Sequence, residues 1–172
     1  MRAFVAVPLG SPEGSPGAAG PLPHLTLHFL RDVPPETLAA IRGALPAAVA
    51  RHRRFVLSIE GVGAFPSAER PRVVWRGAGE GRAEIEALAA TVRRADVDAG
   101  APDDPRPFAA HLTWFRVRGG EDAARARAIL DRREPAPAPV RIDVREVALV
   151  VSRLERSGAV HQIVDRFPLA SA

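Results

Sequence analysis

The chain has 172 residues, of which 47% are hydrophobic and 26% charged, with a formal net charge of +4. This composition suits one soluble globular domain spanning 1–172 rather than a disordered chain. No apolar run reaches the roughly 18 residues of a membrane helix, and the absence of cysteine excludes disulfides and thiolate chemistry.

A cytoplasmic monomer without membrane contact is therefore expected. All 24 basic residues are arginine. GC-rich coding accounts for that bias, yet guanidinium forks remain well suited to phosphate.

Taken in chain order, Arg2 to Pro8 alternates Phe4 and Ala6 against Ala3, Val5 and Val7, as a strand does. Gly10 to Pro23 is rich in Gly, Pro, Ser and Ala and reads as a loop. His24 to Phe29 is a second strand, whose alternation puts His24, Thr26 and His28 on one face and Leu25, Leu27 and Phe29 on the other. Pro34 and Pro35 open a helix reaching about His52, with Leu38, Ile41, Leu45 and Val49 at helical spacing. Its Arg51–Arg54 end reads as a C-terminal charge cluster. Strands come next at Phe55–Val62 and Arg72–Trp75, joined by a turn over Gly63–Pro66.

A helix is expected from Glu80 to about Arg94, then a polar loop at Asp98–Pro107 and a strand at His111–Val117. On that strand His111, Thr113 and Phe115 share a face, and Leu112, Trp114 and Arg116 lie opposite. Asp122–Asp131 reads as a third helix and Pro135–Pro139 as a linker. Val140–Arg153 and Ala159–Phe167 read as a closing hairpin around Ser157-Gly158.

Each half of the chain supplies helices and antiparallel strands and places its His-bearing strand after a loop, which predicts an α+β domain of two lobes with pseudo-twofold symmetry: two antiparallel sheets flanking a central cleft, helices outside. His-Leu-Thr itself occurs twice, at His24-Leu25-Thr26 and His111-Leu112-Thr113, although the chain has only five histidines. Residues two apart on a strand lie about 6.6 Å apart on one face, so an imidazole and a hydroxyl can both reach one phosphate. Two such pairs across a cleft supply opposite proton jobs without a metal. A metal shared by His24 and His28 is not expected, because four strand residues span about 13 Å.

The chain resembles the 2H phosphoesterase superfamily, and within it the RNA 2′,3′-cyclic phosphodiesterases historically called 2′-5′ RNA ligases (LigT or ThpR type). The resemblance runs through Arg2–Pro8, His24–Leu30, Gly61–Pro66, Arg72–Trp75, Arg106–Arg116 and Ser152–Leu154. It implies hydrolysis of a 2′,3′-cyclic phosphate at an RNA 3′ end, leaving a 2′-phosphate, with His24, Thr26, His111 and Thr113 as the two catalytic pairs and no cofactor. Two alternatives are the reverse reaction, ATP-independent 2′-5′ ligation, and a non-catalytic RNA- or nucleotide-binding module in the same cleft.

Arg116 matches a family arginine, although strict alternation points it away from the histidines unless a bulge redirects it. Arg106 and Arg153 are further candidates for neighbouring phosphates. Phe115 stands where the family carries a small residue and is expected to stack on a base or narrow the site. His161 stands where tyrosine is common.

Overall fold

The computed structural model describes residues 1–9, 23–156 and 158–171. The first sheet is built from β1 (Arg2–Pro8), β2 (His24–Asp32), β7 (Glu146–Glu155) and β8 (Gly158–Pro168), in the order β2-β1-β7-β8. The second comprises β3 (Phe55–Pro66), β4 (Pro71–Ala78), β5 (His111–Arg116) and β6 (Val140–Val144), in the order β5-β4-β3-β6. Every neighbouring pair is antiparallel. Three helices complete the described residues, α1 (Pro35–Val49), α2 (Arg82–Asp98) and α3 (Gly120–Leu130).

The α+β, two-sheet expectation holds, but the lobes are not the two halves of the chain. Both chain ends build the first sheet and the middle builds the second, because β3 and β4 cross over to join β5. Alternation marks a strand without naming its partner.

The parity of β1 sorts the first lobe. Ala3, Val5 and Val7 enter the main core with Leu25 and Leu149, under Ile41 and Leu45 of α1 and Leu88 of α2. Phe4 and Ala6 face the other way, beside Ala148 and Val150, and form a small apolar floor with Phe29 and Ile163. On the second sheet, Leu57 and Ile59 extend the main core, while α3 packs on β3 and β4 with Ala126 and Ile129 buried.

Two stretches take a different element from the one expected. The Gly63–Pro66 turn is instead strand: Gly61, at φ 63°, absorbs a bulge between Glu60 and Gly63, so β3 runs on. A Cβ on Gly63 would stand 2.3 Å from the Trp75 ring, so this glycine makes room for the indole rather than for a turn. Val140–Arg153 is two strands in different sheets, β6 on β3 and β7 on β1. The intervening Arg145 accepts a backbone hydrogen bond from Leu169 at 2.9 Å.

The Pro135–Pro139 segment is also more than a linker. Buried Arg76 donates to the carbonyls of Ile59, Pro137 and Ala138 at 3.0, 3.0 and 2.9 Å and pins the segment to the second sheet. The loop expected at Gly10–Pro23 lies, apart from Pro23, outside the described residues, as does Ser157 of the closing turn. No helix among the described residues is long and apolar enough to cross a membrane.

Candidate active site

On β2, His24 pairs with Pro8 and Thr26 with Ala6, so both share the face of Phe4 and Ala6. The register then slips: Ala6 pairs with Thr26 but Val5 pairs with His28, leaving Leu27 without a partner. This bulge reverses the parity of the residues that follow it, until a second slip at Leu30 restores it. His28 turns into the core, 4% exposed, where its Nδ1 lies 2.9 Å from Asp96 Oδ2 on α2. Phe29 comes round to the Phe4 face.

The expectation of His28 on the face of His24 and Thr26, and of Phe29 on the face of Leu25 and Leu27, is corrected by that one residue. His28 and Asp96 each keep a second buried polar atom, Nε2 and Oδ1, with no partner among the described residues. Burial holds the Asp96 carboxyl above its ordinary range, against the opposing pull of His28.

The second motif repeats the device. His111 pairs with Gly77 and Thr113 with Trp75, but Phe115 then pairs with Val74, leaving Trp114 unpartnered. Phe115 therefore faces away from His111 and Thr113. It contacts Trp114, and the Arg125 guanidinium of α3 lies 4.6 Å from its ring centre. The expected role of Phe115 in stacking on a substrate base is corrected accordingly. Arg116, opposite Val73, returns to the face of Thr113.

Aromatic walls hold both imidazoles. His24 stacks on Phe4 at 4.7 Å and meets the edge of His161 at 5.3 Å. His111 meets the edge of Phe65 at 4.9 Å, with Trp75 at 6.1 Å. The Nδ1–H of His111 donates to the Ala109 carbonyl at 2.7 Å, since a carbonyl only accepts, and the lone pair is thereby set on Nε2. The two lobes meet electrostatically at His161. Burial lowers its pKa first, and the charges of His24, Arg2 and Arg116 push the same way.

The remaining candidates are placed apart. Arg106 is tied to Asp104 by bonds of 2.9 and 3.1 Å from its Nε, and this partner keeps the Asp104 carboxyl well below its usual range. Arg153 is opposite Val160, one step from the His161–Ser152 pair. It shares the parity of core-facing Val151, so it points away from His161. His52 is not part of a charge cluster. Its Nε2 bonds Thr91 of α2 at 2.9 Å, and burial lowers its pKa.

Arg2 is a cleft residue that sequence reasoning passed over. It shares the parity of Phe4 on β1, and its guanidinium lies 5.2 Å from the Phe29 ring centre. Only the Arg2–Phe4 alternation could have signalled it. Among the described residues no three His, Asp or Glu side chains converge as metal ligands would.

Two antiparallel sheets, each presenting a His-x-Thr pair from an edge strand and each bulged one residue after the threonine, define a bilobal two-motif class. The chain belongs to the 2′-5′ RNA ligase superfamily, whose profile matches residues 11–156. It is 32% identical over 150 residues to the RNA 2′,3′-cyclic phosphodiesterase of Aeropyrum pernix, covering 87% of this chain and 83% of that protein.

With the protein of the same name from Geobacillus stearothermophilus it shares 33% identity over 98% of its length, but it spans only 57% of that relative. Among solved structures, TT0787 of Thermus thermophilus superimposes with a TM-score of 0.73 at 26% identity, over 99% of each chain. LigT of E. coli complexed with 3′-AMP gives 0.69 at 24% identity, over 98% of this chain and 97% of that one, a likeness of fold.

Proposed function

We propose that this protein is an RNA 2′,3′-cyclic phosphodiesterase that opens the cyclic phosphate at an RNA 3′ end, or of a cyclic nucleotide, by two-histidine acid–base catalysis. The observation that carries this reading is the pair of equivalent His-x-Thr strands, each bulged at the same step. Relatives named for this activity support it.

The Nδ1–H bond of His111 to Ala109 favours His111 as the base. Its Nε2 takes a proton from water, the hydroxide attacks phosphorus, and the P–O3′ bond breaks. Protonated His24 then delivers a proton to the departing O3′, leaving a 2′-phosphate. Thr26 and Thr113 donate hydroxyl hydrogen bonds to the non-bridging oxygens as charge builds on them, and Arg116 balances that charge. No step requires a metal ion or cofactor.

Turnover of a nucleoside 2′,3′-cyclic phosphate by His24→Ala and His111→Ala tests the mechanism. Each variant is expected to lose about 10²- to 10⁴-fold in kcat with an unchanged melting curve, and the wild type is expected to keep full activity in a strong chelator. Near-normal rates in both variants would sink the two-histidine scheme, and chelator-sensitive turnover would sink its metal independence.

A further inference from the structure

Beside the second motif lies an open recess of about 400 Å³ lined by Glu60, Trp75, Gly77, Arg82 and Pro139 among others, within the range of small-ligand sites. Gly77 is the strand partner of His111, so the recess begins one cross-strand step, about 5 Å between backbones, from that residue. Trp75 belongs to both places, as it also flanks His111 at 6.1 Å. Its indole N–H is buried without an acceptor among the described residues.

Glu60 brings a carboxylate to the same recess, engaged by the Ser58 hydroxyl at a long 3.3 Å. Arg82 also lines the recess, with its guanidinium bonded to the Ala78 carbonyl. Gly77 contributes no side chain to fill the space, and a Cβ there would stand 3.4 Å from the Trp75 ring.

We propose that this recess holds the nucleobase of the nucleotide bearing the cyclic phosphate and selects guanine, an inference that rests on the activity proposed above. An indole offers stacking to any base. A carboxylate discriminates, because guanine alone presents two adjacent N–H donors, at N1 and N2, to two acceptor oxygens. Adenine and cytosine set one amino group beside a ring acceptor. Uracil sets one N–H between two carbonyl oxygens, which a carboxylate repels.

The test is kcat/KM on the four nucleoside 2′,3′-cyclic monophosphates. The wild type is expected to favour guanosine over uridine about tenfold or more, the scale of one good bidentate base contact. Glu60→Gln, which replaces one acceptor by a donor, is expected to reduce that ratio to about twofold or less. Equal rates on the four bases, or a guanosine preference that survives Glu60→Gln, overturns the assignment.

If the wild type turns over none of the four, the reaction proposed above fails and the recess is judged by calorimetry with guanosine and uridine 2′-monophosphates. Tighter guanosine binding that is lost in Glu60→Gln supports the recess, and equal binding of the two refutes it.

Discussion

Arg116 and Phe115 are adjacent, yet one faces the reacting groups and the other the back of the sheet under Arg125. Their substitutions should separate cleanly. Arg116→Ala is expected to lower kcat/KM on a cyclic nucleotide by about 10- to 100-fold, the range of a lost charge-assisted hydrogen bond to phosphate. Phe115→Leu, a packing change on the far face, should leave kcat/KM within about twofold and show itself only in thermal stability. Steady-state kinetics on the two variants decide it, and an inverted pattern would place Phe115 in the cleft after all.

The bulged strand β2 is held from behind by a buried, hydrogen-bonded histidine–aspartate couple rather than by a hydrophobe. At the equivalent step of β5 an aromatic, Phe115, does that work. Side-chain exposure of His28 and Asp96 is 2% and 0%, so removing one partner strands the other in a medium that cannot solvate it. Asp96→Ala should cost about 3–5 kcal/mol in denaturant unfolding, as should His28→Ala. His28→Leu with Asp96→Leu together should recover most of that loss, since a well-packed apolar pair carries no desolvation penalty. Additive losses in the double variant would contradict this account. The element also shows what a short motif hides: the stretch His24–Phe29 reads as unbroken alternation, and only its pairing with β1 reveals that Leu27 is skipped.

For the whole molecule, two half-buried imidazoles set a pH dependence. His52, which ties the end of α1 to Thr91 on α2, and His161, in the cleft, are both held below their ordinary value of 6.5. The unfolded chain therefore takes up protons near pH 6.5 that the folded chain resists, so their contribution is present above that pH and is lost as pH falls through the lowered values. Asp96, raised by burial, works in the opposite sense, favouring the folded state at low pH. Thermal melts of wild type and a His52→Gln, His161→Phe double variant should separate the terms. The wild-type Tm should fall more steeply below about pH 6.5 than that of the double variant, and parallel curves would refute the assignment.

The sequence by itself determined the α+β class, most strands and helices, and the two His-x-Thr pairs. Each of these rests on local periodicity or on a repeated tripeptide, which need no knowledge of neighbours. The tertiary structure alone decided which strands share a sheet, that Arg116 rather than Phe115 faces the cleft, and that His28 is buried on Asp96. It also decided that Arg153 points away and that Arg106 is spoken for by Asp104. The reason is physical. Which face a side chain takes after a bulge depends on how the partner strand is registered, and that register is set by packing between residues far apart in the chain.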